Sequence, residues 1–169
     1  MLTGRPGCGK TTLVRKVLRL SGVRAAGFYT EEVRHDGRRV GFDLVTLRGT
    51  RVPLAREGLP SPHRVGRYGV EVRSVEVEGV SALEEALAGG YLAVVDEIGK
   101  MELFSGRFRD TVHRLLDTGV PVLGTVMLAP HPWADRLKQD DRVDVVGLTA
   151  QNRGQVLEQT LAWLKEVVG

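Results

Sequence analysis

Eight residues near the N-terminus, Gly4-Arg5-Pro6-Gly7-Cys8-Gly9-Lys10-Thr11, fit the spacing G-x-x-x-x-G-K-[ST] at every position. These residue types answer one chemical problem, the concentrated negative charge of a polyphosphate. Glycine permits positive-φ turns and close approach, so consecutive backbone N–H groups point inward as an anion nest. The loop runs into Lys10–Leu20, whose apolar Leu13, Val14, Val17, Leu18 and Leu20 predict a helix. The free N–H groups and dipole at its start favour phosphate. Lys10 is expected to reach the β- and γ-phosphates, and the Thr11 hydroxyl to ligate Mg²⁺. Thr12 completes the candidate nucleotide-binding stretch, Gly4 to Thr12.

One hydroxyl is an incomplete protein contribution to a divalent ion, so an acid is expected elsewhere. Leu92-Ala93-Val94-Val95 is a short, continuously apolar run, as a strand buried on both faces requires. Asp96 and Glu97 follow at its C-terminal end, where ligands bind in α/β sheets. Asp96 is the candidate Mg²⁺ residue, mainly through bound water. Glu97 is the candidate that orients or deprotonates an attacking water, and with Lys10 it makes the catalytic pair. The ordinary alternative is a strand end capped by solvated acids; the phosphate loop upstream weighs against it. Lys100, Arg107 and Arg109 are further charges near this segment, with solvated surface as the ordinary account of each.

The elements that must position these residues alternate strand and helix, which predicts an α/β fold with a mostly parallel sheet. Met1-Leu2 is only the stub of a first strand, where a central strand usually has ~5–6 residues; a start upstream of Met1 and an unusually short strand both remain open. Ala25–Val33, Val40–Leu47 and Val70–Val77 are strand-like, with Asp36-Gly37 as a hairpin signal, so an antiparallel extension is expected across about residues 25–77. Thr50–Tyr68, with three prolines and several arginines, reads as a loop-rich, mobile excursion. Gly79–Gly90 predicts a helix with Ser81 as N-cap and Glu84 as its capping-box partner. Helices are also expected over Phe104–Leu116, Trp133–Gln139 and Gln155–Val168, and strands over Val120–Met127 and Val143–Leu148.

At 169 residues the chain suits one domain, residues 1–169. Hydrophobic residues at 42% and charged residues at 27% exclude a disordered chain, and no apolar run approaches the ~20 residues of a membrane span. Polar Thr3-Gly4-Arg5 so near the start argues against a secretory leader, and a single cysteine, Cys8, against a disulfide. A reducing, cytoplasmic compartment is therefore expected. The net charge of +3 suits anionic ligands but is too weak to imply nucleic acid. Arg34, Arg38, Arg39, Arg48, Arg51, Arg56, Arg64 and Arg67 crowd one region, yet Glu31, Glu32, Asp43 and Glu57 are interleaved, so a solvated face is favoured. His35, His63, His113 and His131 are scattered without ligand spacing, which disfavours zinc. Tyr29, Phe42, Tyr68 and Trp133 are more ordinary as core residues than as base platforms.

GRPGCGKTT (Gly4–Thr12) together with VVDEIGKMELFS (Val94–Ser105) resembles the thermophile-type nucleoside triphosphatases, the family of the human cancer-related nucleoside triphosphatase. Gly27–Val45, Gly124–Val126 and Leu148–Arg153 are similar too, so the resemblance spans nearly the whole chain. It implies a RecA-like P-loop NTPase fold, a parallel sheet flanked by helices with an antiparallel extension. It also implies slow, Mg²⁺-dependent release of phosphate from ATP, GTP, CTP, UTP and TTP, weaker on diphosphates. By the same resemblance the second nucleotide-contacting window is Leu92, Ala93, Val94, Val95, Asp96, Glu97, Ile98 and Gly99, and Asn152 and Arg153 pass near the site. The expected partners are nucleoside triphosphates, without membrane, acting on a monomer. Two alternatives stay open: a small-molecule or nucleoside kinase with Thr50–Tyr68 as an acceptor lid, and a nucleic-acid-linked ATPase, possible but not favoured.

Overall fold

The computed structural model describes residues 1–168. In chain order these form β1 (Leu2–Thr3), α1 (Lys10–Ser21), β2 (Ala25–His35), β3 (Arg38–Thr46), β4 (Arg51–Glu57), β5 (Arg64–Val65) and β6 (Tyr68–Val70). A helical stretch follows, α2 (Val72–Ser74) and α3 (Val80–Gly89) joined by a π-turn at Val75–Gly79. The remainder is β7 (Leu92–Ile98), a 3₁₀ turn at Glu102–Phe104, α4 (Gly106–Thr118), β8 (Val122–Val126), α5 (Pro132–Lys138), β9 (Val146–Gly147) and α6 (Arg153–Val168).

All nine strands lie in one sheet, ordered β5-β6-β4-β3-β2-β7-β8-β1-β9. Its β2-β7-β8-β1-β9 half is parallel and its other half antiparallel. β7 is the axis of the parallel half. Ala93 and Val95 join the core under α3, α4 and α5, and Leu92 and Val94 join the core under α1 and α6. All four are fully buried, so an unbroken apolar run is what this position demands. The parallel order brings the C-terminal ends of β1 and β7 to the same edge, with β8 between them.

The stub of a first strand is real but supported on both sides. β1 pairs with β8 and β9, and Leu2 is buried at their centre. The Asp36-Gly37 hairpin stands as expected, with φ of 49° and 74° closing β2 onto β3.

Three expectations are corrected. Val70–Val77 is not a strand: pairing stops at Val70, and the chain turns helical from Val72. The alternating valines mimic a period of two, but the packing period is helical. Val75 and Val80, five apart, both face the core, because the π-turn absorbs the extra residue. Gly79 within that turn lies where a Cβ would stand 3.3 Å from both Leu44 and Phe28, so glycine permits the close approach to the sheet. Ser81 is consequently no N-cap; the helical stretch begins at Val72, where the Glu71 carboxylate accepts from the Arg73 N–H at 3.3 Å.

Thr50–Tyr68 is not a loose excursion either. Arg51–Glu57 is a paired strand with Leu54 and Ala55 buried, and Pro53 sits at an irregularity of the β3–β4 ladder, where a missing N–H is tolerated. Of the eight arginines in the basic region, seven face carboxylates. Arg34 and Arg39 meet Glu32, Arg38 and Arg67 meet Glu57, Arg51 meets Glu31 and Asp43, Arg56 meets Asp43, and Arg48 meets Glu85. No helix among the described residues is long and apolar enough to cross a membrane.

Candidate active site

The loop between β1 and α1 has the geometry of an anion nest. Gly9, at φ 98°, stands as the helix N-cap with no side chain to occupy the N–H groups of the first turn, and that turn holds no acid. These donors and the helix dipole are thus left for an anion. At the loop's other end, a Cβ on Gly4 would meet the Leu148 carbonyl oxygen at 2.6 Å. Lys10 is 9% exposed and its Nζ donates to the Gly4 and Arg5 carbonyls, at 3.0 and 3.4 Å. Its ammonium therefore sits inside the loop's curve.

The acidic pair lies within electrostatic reach of Lys10 in this loop. Past Val95 the β7–β8 register shifts, and the Asp96–Glu97 segment leaves the regular ladder before Ile98 rejoins it opposite Val126. Asp96 is 1% exposed, and its Oδ1 accepts from the Thr125 hydroxyl at 2.6 Å. Its Oδ2 is buried and, among the described residues, has no hydrogen-bond partner. Burial raises the Asp96 pKa; the Thr11 and Thr125 hydroxyls and the Lys10 charge oppose the rise. Glu97 is likewise raised by burial, opposed by Lys10 and reinforced by Asp96. Lys10, Thr11, Asp96 and Glu97 thus form one electrostatic unit.

Those observations test the fit of Mg²⁺. A buried carboxylate oxygen without a partner is costly, and a cation beside Thr11 relieves it. Among the described residues no group of three or more His, Cys, Asp or Glu side chains can hold a metal alone. The fit is to an ion bound jointly by Thr11, Asp96, water and phosphate oxygens, as Mg²⁺ is usually held.

Other members of the expected window play a different part. Leu92, Ala93, Val94, Val95 and Ile98 are fully buried and position the acids from the core. Lys100 and Arg107 are exposed. The aromatic candidates pack elsewhere: Phe42 against Tyr68 at 5.5 Å, Trp133 against His113 at 5.2 Å, and Tyr29 beneath Arg15.

Four residues to which the sequence assigns no role, or only a loose one, lie against these groups. Thr125 holds Asp96. Arg153 donates through Nε to the Cys8 carbonyl at 2.8 Å and lies over Gly9. Its neighbour Asn152 ties down the preceding loop, donating to the Gly147 carbonyl and accepting from the Thr149 N–H, both at 2.8 Å. The fourth is Glu102, 4% exposed, which accepts from the Gly99 N–H at 3.1 Å. Glu97 and Glu102 both reach Gly99, where a Cβ would lie 2.8 Å from Glu97 Oε1 and 3.3 Å from Glu102 Oε2.

Burial, then repulsion from Glu97, pushes the Glu102 pKa up to about 8 from 4.5. The folded protein holds this proton where the unfolded chain releases it, so this burial carries no ionisation penalty below about pH 4.5. Native stability then falls as pH rises toward 8. Glu102→Gln keeps an acceptor for Gly99 and removes the titration. Without ligand, its melting temperature is expected to match wild type at pH 4. At pH 9 it should exceed wild type by roughly 10 °C or more, since a carboxyl raised from 4.5 to about 8 loses on the order of 4 kcal/mol of stability there. Calorimetry at the two pH values decides, and an equal difference at both would refute a buried proton on Glu102.

Comparison with known proteins agrees with this geometry. A family model described as NTPase (NTPase_1) matches residues 1–161. The "Nucleoside-triphosphatase THEP1" of Thermotoga sp. (strain RQ2) is 44% identical over 165 residues, covering 98% of this chain and 94% of that protein. The human "Cancer-related nucleoside-triphosphatase" is 45% identical over 172 residues, covering 92% and 90%. The crystal structure of THEP1 from Aquifex aeolicus superposes with a TM-score of 0.88 at 38% identity, covering 96% of each chain. The fold is thus that of a P-loop NTPase, and the chain belongs to the NTPase family that these nucleoside-triphosphatases share.

Proposed function

We propose that this chain is a Mg²⁺-dependent nucleoside-triphosphatase that transfers the γ-phosphoryl group of a nucleoside triphosphate to water. The observation that carries this reading is the meeting of Lys10 with the buried Asp96 and the half-buried Glu97 at one edge of the sheet. Lys10 and the loop N–H groups bind the β- and γ-phosphates and offset charge that develops on transfer. Glu97 orients the attacking water and accepts its proton, a task suited to a carboxylate whose pKa burial has raised. Thr11 and Asp96 would hold the ion, which when bound neutralises charge on the phosphoryl oxygens. Thr125 keeps Asp96 aimed, and Arg153 braces the loop from outside. That the relatives are known as nucleoside-triphosphatases supports hydrolysis over transfer to another acceptor. The acceptor lid of the kinase alternative loses its basis, because Arg51–Glu57 is laddered into the sheet. The lone Cys8 suits a reducing, cytoplasmic setting.

The test is steady-state phosphate release from ATP, GTP, CTP, UTP, TTP and ADP, with Mg²⁺ and with EDTA. The five triphosphates are expected to agree in kcat/KM within about tenfold, the small discrimination that apolar contacts give. ADP should be slower and EDTA should abolish release. Stoichiometric phosphate transfer to an acceptor at rates above water attack would overturn the reading.

A further inference from the structure

Asp96 is fastened by the Thr125 hydroxyl, but Glu97 has no such hydrogen-bond partner among the described residues. What fixes its carboxylate is room beside Gly99. A Cβ there would stand 2.8 Å from Glu97 Oε1 and 3.3 Å from Glu102 Oε2, so both carboxyls close on the space a side chain would fill. Gly99 does not take the left-handed backbone of Gly7 or Gly9; it is glycine for this space and not for a turn. Both polar groups of its main chain are held. The N–H donates to Glu102 Oε2 at 3.1 Å, and the carbonyl accepts from the Leu103 N–H at 3.0 Å. Glu102 and Leu103 are buried, and the turn that carries them ends on the fully buried Ser105. The Ser105 hydroxyl accepts from the Phe108 N–H and donates to Glu76, each at 3.1 Å. The anchor behind Gly99 is thus fixed to the core at several points.

We propose that Glu102 is the positioning residue of Glu97: it holds the Gly99 main chain where the Glu97 carboxylate packs against it, and so sets where that carboxylate meets water. The inference rests on the proposed role of Glu97 in turnover. A side chain without a hydrogen-bonded anchor is placed only as well as the groups that wall it. A displacement of ~1 Å at a reacting group costs up to about 10²-fold in rate. Glu102 suits the task because its carboxyl, raised to about 8 by burial and then by Glu97, is neutral at pH 7. It accepts from Gly99 without setting a second charge beside Glu97. Its hydrogen bond goes to Gly99 and not to the phosphate loop, so a fault here reaches turnover and spares nucleotide affinity.

The experiment measures kcat and KM for ATP with Mg²⁺ at pH 7 in the intact protein. Gly99→Ala leaves Glu102 in place and pushes only on the flexible end of Glu97, so it should melt near wild type. Glu102→Leu removes the acceptor for Gly99, and Glu102→Asp, one methylene shorter, draws it back and decides where the leucine variant does not fold. Each is expected to lower kcat about tenfold or more with KM within about threefold. Glu102→Gln keeps the acceptor and should restore kcat to within about threefold of wild type. In a Glu97→Gln background the damaging changes should each alter the remaining rate less than about twofold, because a displaced group that takes no proton has nothing further to lose. Equal losses in both backgrounds mark a general loosening and overturn the positioning role. So do a loss confined to KM, no rescue by glutamine, or a Gly99→Ala protein that does not fold. Wild-type turnover in Glu97→Gln itself overturns the role of Glu97 and this inference together. A slow Glu97→Gln beside unaffected Gly99 and Glu102 variants overturns this inference alone.

Discussion

Glu97→Gln is expected to lower kcat by ~10²-fold or more while leaving nucleotide affinity near wild type. The amide has the carboxylate's shape and still accepts a hydrogen bond from water, but it takes no proton. Nothing in the phosphate loop depends on it: the Lys10 ammonium is held by the Gly4 and Arg5 carbonyls, and Asp96 by Thr125. Binding and chemistry therefore separate in this variant. The free-enzyme pH profile gives a second readout. Burial raises the Glu97 pKa and Asp96 raises it further, so the acid limb of wild-type kcat/KM should lie above the usual glutamate range. That limb should be lost in the variant's residual rate. Near-wild-type turnover with tight nucleotide binding would remove Glu97 from its role.

What the sequence reveals about the site is what is local to it. The phosphate loop is one continuous stretch whose residue types are dictated by backbone turns and by charge. Asp96–Glu97 follows directly on the run that buries β7. Thr125 reaches Asp96 only because β8 pairs beside β7, a juxtaposition across 29 residues that no spacing rule announces. Glu102 carries no local signal, because its burial comes from the 3₁₀ turn folding back onto Gly99. Within the fold, the valines of Val70–Val77 carry two periods at once, and only the core under Phe28 and Leu44 selects the helical one. β4 was hidden by its own composition. Proline and arginine read as loop until Asp43 and Glu31 neutralise the charges and the ladder irregularity accommodates Pro53. Local chemistry is legible where one segment does the work, and illegible where a partner arrives from elsewhere in the sheet.

Lys10→Met should be the most damaging single change, lowering kcat/KM by roughly 10³-fold or more, as expected when a charge-stabilising donor is lost from a phosphoryl-transfer site. Two losses combine. The β- and γ-phosphates lose their cation, and the Gly4 and Arg5 carbonyls lose the ammonium that braces the loop's curve. Unlike Glu97→Gln, this variant should therefore fail in binding as well as in turnover, which calorimetry with ADP and Mg²⁺ reads directly. Methionine keeps the length of the stem and buries no new polar atom, so folding should survive and melting near wild type serves as the control. Lys10→Arg is not expected to rescue, because a planar guanidinium fork does not replace a compact ammonium within a narrow loop. Lys10 also lowers the pKa of both Asp96 and Glu97. Its removal should therefore move the acid limb of the residual activity to higher pH, an effect that a merely weakened phosphate contact would not produce. A residual profile with an unmoved limb would separate Lys10 electrostatically from the acidic pair and break the unit on which the proposed chemistry depends.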